Sequence, residues 1–201
     1  MTTLALAPGF SDPALQSADA FREILDAMAR PGRIKCLIGL EQAPPPLMVS
    51  TAILLLTLAD MDTPLWLDDP LRSPEIEAFV RFHCGAPLIE TKAEAAFAII
   101  STPHRLGSID AFSAGTAEYP DRSTTVIIQV ETVTAHGALS LKGPGIETVH
   151  HLGVIPDYPD LWPSLIANHR QFPLGVDVIF AAPQAIAAIP RSTALSIEGA
   201  A

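Results

Sequence analysis

TTVIIQVETVTAHGALSLK, residues 124–142, is the stretch that decides the predicted fold. Its first part, 124–133, is rich in β-branched and apolar side chains, which is the composition of a buried strand. His136 and Gly137 can turn the chain, so residues 138–142 are expected to return as the second strand of a β-hairpin. A short hairpin forces antiparallel pairing, whereas strands joined by helices pair in parallel. The sequence therefore predicts a mixed sheet.

Helical periodicity and capping residues predict the helices around this sheet. One helix is expected over 17–30, ended by Pro31-Gly32, and it buries four apolar residues at helical spacing, namely Phe21, Ile24, Leu25 and Met28. Another is expected from Pro74 to His83, because Ser73 can cap its amino terminus. The remaining predicted elements are helices at 47–59 and 160–170, strands at 33–40, 63–67 and 97–100, and a terminal hairpin of 175–181 with 185–189. This alternation indicates an α/β fold.

Composition limits the classes of function. The 201 residues are 49% hydrophobic and 17% charged, which favours one domain over residues 1–201. A net charge of -10 disfavours nucleic acid, which binds through many Lys and Arg side chains. Residues 1–10 carry no lysine or arginine, which argues against a secretory signal, and the longest apolar run, 47–59, is too short to span a bilayer. A cytoplasmic protein that binds neither nucleic acid nor membrane is expected.

Cysteine and histidine give no pattern that holds a metal ion. Cys36 and Cys84 lack the spacing of a disulfide framework or a zinc knuckle, and both are expected to be buried, reduced core residues. His150 and His151 are adjacent, so their side chains are expected to point apart. No metal site is therefore predicted. No serine stands in a G-x-S-x-G elbow either, so spacing identifies no nucleophile.

KGPGIETVHH, residues 142–151, has a lysine and glycines, as a phosphate loop does, but its lysine stands before the glycines. Such a loop carries its lysine after the glycines and uses several free backbone N–H groups. Here Lys142 precedes Gly143 and Gly145, and Pro144 has no N–H. A tight turn is favoured over a complete phosphate loop, while a looser anion contact by Lys142 stays open. Composition and spacing alone thus give no self-sufficient active site.

Four separated stretches carry a family resemblance that covers nearly the whole chain in order: FREILDAMARPG at 21–32, TLADMDTPLWL with FHCGAPL at 57–67 and 82–88, KGPGI at 142–146, and FPLGVDVIF with IPRST at 172–180 and 189–193. Together they resemble the H-subunit family of the bacterial carbon-phosphorus lyase system for phosphonate use. The resemblance implies a three-layer α/β/α fold with a mixed sheet, similar to the pyridoxal-phosphate-dependent transferases. It implies the absence of their cofactor residues, so no cofactor is expected.

The resemblance also implies partners. It implies a homodimer that joins other carbon-phosphorus lyase subunits, in a complex that transfers the ribose triphosphate of ATP to an alkylphosphonate and releases adenine. The chain is not expected to be active alone, and ATP or a phosphonate is expected only at a site shared with its partners. The family commonly has proline, glutamate and small residues before its central strand. Pro120-Asp121-Arg122-Ser123 departs from that pattern, since Asp is shorter than Glu and Arg122 can pair with it.

Six residues are candidates for ligand binding or for a subunit interface, and no catalytic residue is assigned: Arg30, Lys142, Gly143, Gly145, Asp177 and Arg191. Asp177 lies in an apolar strand, where an unpaired carboxylate is costly, so it needs a partner. Arg191, at the end of the neighbouring predicted strand, can supply a structural ion pair or bind a ligand. Arg30 can cap the end of its helix, or meet an anion or a partner subunit.

Two other functions stay open. A free-standing pyridoxal-phosphate transferase needs a Schiff-base lysine, a carboxylate for the pyridine nitrogen and a phosphate cup. Lys35 lies in a predicted strand, Lys92 in a predicted exposed turn and Lys142 in the proline-bearing turn, and none has those companions in the sequence. The second alternative is a nucleotide-binding regulator outside any enzyme complex, which tight ATP binding by the isolated protein would favour.

Overall fold

The computed structural model describes residues 6–197. Residues 1–5 and 198–201 lie outside it, and with them half of the 1–10 stretch from which no secretory signal was expected. Its helices are α1 (Pro13–Ala29), α2 (Val49–Leu58), α3 (Pro74–His83) and α4 (Leu161–His169). Its strands are β1 (Lys35–Cys36), β2 (Leu65–Leu67), β3 (Phe97–Ile100), β4 (Thr125–Gln129), β5 (Thr132–Lys142), β6 (His150–Ile155), β7 (Asp177–Ala182), β8 (Ala185–Ile189) and β9 (Ala194–Ile197). The chain is therefore an α/β protein, as predicted.

The strands form two sheets. The large sheet has six strands in the order β1-β8-β7-β4-β3-β2. Strands β2, β3, β4 and β7 run parallel to one another, whereas β8 is antiparallel to β7 and β1 is antiparallel to β8. The small sheet has the order β6-β5-β9 and is antiparallel. The predicted mixed sheet and the predicted terminal hairpin of β7 and β8 are both confirmed.

The hairpin predicted within residues 124–142 is wrong. Strand β4 ends at Gln129 in the large sheet, and β5 begins at Thr132 in the small sheet. Strand β5 runs through the expected turn at His136-Gly137, where its register with β6 is irregular. A side chain on Gly137 would overlap the Leu152 carbonyl oxygen of β6. The glycine thus allows close pairing at a β-bulge instead of a chain reversal.

The large sheet is buried on both faces. Helices α1, α2 and α3 cover one face, where Ile127 of β4 belongs to their core. The neighbouring Ile128 points to the other face and packs in the core formed with the small sheet and α4. Burial on both faces explains why β3, β4 and β7 read as continuous apolar runs. The third layer combines a sheet with one helix, so it differs from the helical layer that an α/β/α arrangement implies.

The predicted buried face of α1 is confirmed for Ile24 and Met28 and is wrong for Phe21 and Leu25. Phe21 is 48% exposed and Leu25 is 56% exposed, whereas Ala20, Ile24 and Ala27 face the core. The helix lies against α2 and β8. Small side chains allow the close approach of packed elements, and Ala20 and Ala27 flank Ile24 in this contact. Three large apolar side chains consequently remain on the surface of α1, namely Leu15, Phe21 and Leu25.

The other predicted elements are largely confirmed. Helices α2, α3 and α4 and strand β3 form where the sequence placed them, and Ser73 accepts a hydrogen bond from Ile76 N–H as the cap of α3. Strand β1 is much shorter than the predicted 33–40. Strands β6 and β9 were not predicted, because no element was assigned to residues 143–159 or after residue 189. Within residues 6–197 no helix is long and apolar enough to cross a membrane.

The prediction for the cysteines is wrong for Cys36 and holds in part for Cys84. Cys36 is exposed on β1, at the open edge of the large sheet. Cys84 is half-buried at the end of α3, and burial raises the pKa of its thiol to about 11. Because the thiolate is the reactive form of cysteine, the two residues differ in reactivity.

We expect a thiol reagent at pH 8 to modify Cys36 rapidly and to leave Cys84 largely unmodified. With a pKa of about 11, roughly one Cys84 thiol in a thousand is ionised at this pH. Mass spectrometry of the labelled peptides measures both rates in one sample, and a Cys36→Ser variant isolates the slow site. Equal labelling rates at the two cysteines in the folded protein would contradict the burial of Cys84.

Candidate functional site

The six predicted site residues gather at one edge of the large sheet. This amino edge is where the parallel strands β2, β3, β4 and β7 begin. Asp177 is the first residue of β7, and Arg191 follows the end of antiparallel β8, which brings both to this edge. The end of α1 joins them there, because Gly32 N–H bonds to the Ala188 carbonyl oxygen at 3.1 Å. The turn with Lys142, Gly143 and Gly145 packs on the same region.

Asp177 and Arg191 form a nearly buried ion pair. Arg191 Nη2 lies 2.7 Å from Asp177 Oδ2, and Arg191 Nε donates to Oδ1 at 3.2 Å. The backbone N–H of Arg191 also donates to Oδ1, at 2.8 Å. The side chains are only 16% and 12% exposed. Asp177 thus has the partner that its burial requires, and the pair fixes the segment after β8 against the start of β7.

Further hydrogen bonds tie Arg191 to two more segments. Its Nη1 donates to the Pro120 carbonyl oxygen at 2.5 Å, and its own carbonyl oxygen accepts from His169 Nδ1 at 3.0 Å. Each guanidinium nitrogen of Arg191 therefore has an acceptor within the protein. The stretch after Pro120 does not form the pair that the sequence suggested, since the Arg122 guanidinium lies 4.1 Å from the centre of the Tyr119 ring. Such stacking is a cation–π contact.

The glycines of the KGPGI stretch allow a close backbone contact. Gly145 has a φ of +80°, and a side chain there would overlap the Ala29 carbonyl oxygen at the end of α1. Gly143 has a φ of +141°, and its Cβ would lie 3.1 Å from the Ser192 carbonyl oxygen. Ile146 N–H bonds to the Gly143 carbonyl oxygen at 3.1 Å, which closes the predicted tight turn. We call the meeting of residues 29–32, 142–146 and 190–194 the junction.

The two remaining basic candidates differ in their surroundings. Arg30 caps α1 through its backbone N–H, which bonds to the Asp26 carbonyl oxygen at 2.9 Å, and its guanidinium pairs with the Asp26 carboxylate. The helix-capping role predicted for Arg30 is confirmed. Lys142 is exposed, and within residues 6–197 it has no ion pair. Its loose contact with an anion therefore stays a prediction.

The adjacent histidines point apart, as predicted. His150 Nδ1 donates to the Pro31 carbonyl oxygen at 2.7 Å, which holds β6 against the end of α1. His151 lies on the other side of β6, 3.4 Å from Ser140 Oγ. Across the described part of the chain, no group of three or more His, Cys, Asp or Glu side chains is placed to hold a metal ion.

One lysine, Lys92, is more buried than the sequence predicted. Lys92 is half-buried and lies 4.6 Å from the centre of the Trp66 ring, so the exposed position expected for it is wrong. Its ammonium also donates to the Leu106 carbonyl oxygen at 3.4 Å. Lys35 pairs with Glu23 at 2.8 Å. Both ammonium groups are therefore engaged within the fold.

A polar cluster that was not predicted lies at the opposite, carboxyl edge of the large sheet. Asp68 follows β2 and is 2% exposed, and its Oδ2 accepts hydrogen bonds from Ser101 N–H at 2.9 Å and Ser101 Oγ at 2.6 Å. Arg105 Nε lies 3.3 Å from the same oxygen. The signal in the sequence is a polar residue directly after each of two parallel strands, the position where open α/β sheets bind ligands. Here the carboxylate is closed off from solvent and holds the turn after β3.

We expect Arg191→Ala to lower the free energy of unfolding by roughly 3 to 5 kcal/mol, because it leaves the Asp177 carboxylate buried without its partner. Chemical denaturation measures this loss. Arg22→Ala is the matched control, since its pair with Asp19 is 70% and 62% exposed and such pairs contribute at most about 1 kcal/mol. Losses of similar size in the two variants would show that the Asp177–Arg191 pair does not stabilise the fold.

Comparison with known proteins identifies the family. Residues 8–196 match the family model described as bacterial phosphonate metabolism protein (PhnH). The chain is 36% identical over 192 residues to the "Alpha-D-ribose 1-methylphosphonate 5-triphosphate synthase subunit PhnH" of Rhizobium meliloti (strain 1021), covering 94% of each chain. It is 30% identical over 186 residues to the "Putative C-P lyase subunit protein HtxG" of Stutzerimonas stutzeri, covering 90% of this chain and 86% of that protein. The resemblance found in the sequence is thereby confirmed, and the chain belongs to the bacterial phosphonate metabolism protein (PhnH) family.

Proposed function

We propose that this chain is a subunit of a phosphonate ribosyl-triphosphate synthase complex in phosphonate catabolism. The reaction transfers the ribose triphosphate of ATP to an alkylphosphonate and releases adenine. The observation that carries this proposal is the 36% identity to a synthase subunit, which extends over 94% of both chains. The place of the stretches that carry the resemblance supports it, because RPG, KGPGI and IPRST meet in one junction.

The subunit acts through assembly and not as a complete enzyme. Arg191 and Arg30, two of the basic candidates, have partners within the fold, and Gly145 is occupied by its contact with α1. A basic side chain that binds a ligand needs N–H donors that are not already bonded within the protein. Among the basic candidates, exposed Lys142 meets this requirement best. ATP or a phosphonate would then bind at a site that partner subunits complete.

We also propose that the chain is a single cytoplasmic domain that forms a homodimer. Exposed apolar side chains support an interface on one side of the molecule. Phe21 and Leu25 lie on the open surface of α1, Ile34 precedes β1 and Ile38 follows it, and Ile38 is 81% exposed. Clustered apolar side chains on a surface mark protein contacts more often than isolated ones do.

We also propose that the fold is similar to that of the pyridoxal-phosphate-dependent transferases, and that this chain does not bind their cofactor. A Schiff-base lysine has to be free for the aldehyde. Lys35 is paired with Glu23 and Asp26, and Lys92 lies over aromatic rings, which argues against either as that lysine. The free-standing transferase is therefore the less favoured function, whereas a nucleotide-binding regulator stays the second alternative.

We expect the isolated protein, given ATP and methylphosphonate, to release no adenine, whereas the protein combined with its partner subunits does release it. Chromatography of free adenine measures both reactions. Within the complex, Arg191→Ala is expected to lower the rate more than Lys35→Ala, because the Asp177–Arg191 pair is the more buried of the two.

Controls separate stability from chemistry in this assay. Thermal melting and pull-down with the partners must accompany each variant, because Arg191→Ala is also expected to destabilise the fold. Adenine release by the isolated chain would refute the assembly role. An Arg191→Ala protein that is folded, assembled and fully active would remove Arg191 from the functional residues.

A further inference from the structure

A cleft of about 590 Å³ lies between the open edges of the two sheets. Strand β1 is the outer strand of the large sheet, and β6 is the outer strand of the small one. The charged and ionisable side chains that line the cleft are Arg33, Lys35, His150 and His151, and the rest of its lining is apolar or glycine. Among residues 6–197 no carboxylate lines it, although the whole chain carries 22 acidic residues against 12 basic ones.

In the part of the chain that the structure describes, Arg33 is the cation of this cleft that no carboxylate neutralises. Lys35 Nζ pairs with Glu23 at 2.8 Å and with Asp26 at 3.0 Å, and Arg30 nearby pairs with Asp26. Arg33 is exposed and forms no ion pair within residues 6–197. The guanidinium of Arg33 is surrounded by apolar residues and by a lysine that carboxylates already neutralise. Its positive potential is therefore not cancelled nearby, so the cleft attracts anions although the protein as a whole is acidic.

His150 provides a further ring nitrogen beside Arg33. His150 Nδ1 donates to the Pro31 carbonyl oxygen, which fixes the ring and leaves Nε2 for a ligand. Both ring nitrogens donate when the imidazole is protonated.

We infer that this cleft binds a tetrahedral oxyanion, the phosphate or phosphonate group of a small molecule. The planar guanidinium of Arg33 matches two oxygens of such a group, and Nε2 of a protonated His150 donates to a third. The inference does not rest on the proposed function, because Arg33 and His150 belong to the described cleft and not to the six candidates of the sequence. The side chain of His151 is engaged with Ser140 and is not required.

The test is a titration of the isolated, full-length protein with inorganic phosphate, followed through the imidazole resonances of its histidines by NMR. Saturable shifts are expected at His150 but not at His83 or His104, which lie elsewhere in the fold. Arg33→Ala is expected to weaken binding at least about ten-fold, because it removes the unpaired guanidinium. Arg22→Ala is the matched control, since Arg22 is an exposed arginine in the neighbouring groove that Asp19 and Glu23 also line.

The same titration with methylphosphonate and with ATP distinguishes the sources of the group. Tighter binding of ATP assigns the cleft to a nucleotide phosphate, and tighter binding of methylphosphonate assigns it to a phosphonate. Equal affinity of Arg33→Ala and the unchanged protein would overturn the inference, and so would uniform shifts of all histidines or equal competition by acetate. A negative result leaves adenine release by the complex unaffected, so the two proposals fail separately.

Discussion

The sharp corner between β4 and β5 is the constraint on which the arrangement of the layers depends. Only Val130 and Glu131 separate the two strands, and their backbone N–H groups bond to different sheets. Val130 N–H bonds to Ala181 of the large sheet at 2.9 Å, and Glu131 N–H bonds to Ile155 of the small sheet at 2.7 Å. Because the connection between β4 and β5 is only two residues long, the small sheet must lie on the face of the large sheet. Ile128 and Phe180 of the large sheet are buried beneath it.

This placement brings segments that are distant in sequence to the amino edge. The turn after β5 reaches the end of α1, and the residues after β8 reach the same turn through Ser192. Each contact depends on a specific residue property: the missing side chain of Gly145, the ring nitrogen of His150 and the charge of Arg191. The stretches that identify the family therefore act first on architecture, and the cleft of Arg33 borders the junction that they build.

Sequence alone predicted the features that depend on local chemistry. The cap at Ser73, the apolar strand β3 and the need of Asp177 for a partner each follow from neighbouring residues or from the cost of burying a charge. The errors concern contacts over long distances. His136-Gly137 has the composition of a turn, and only pairing with β6 makes it a bulge. The buried face of α1 and the Arg33 cleft likewise depend on how sheets and helices meet, which periodicity in one segment does not reveal.

The most direct test of the junction compares Gly145→Ala with Gly85→Ala in chemical denaturation. Both glycines have a positive φ, +80° and +68°, so both variants strain the backbone. A side chain at Gly145 overlaps the Ala29 carbonyl oxygen, whereas one at Gly85 meets no atom within 4 Å. If the junction holds the fold together, Gly145→Ala loses at least about 2 kcal/mol more stability than Gly85→Ala. Equal losses in the two variants would contradict it.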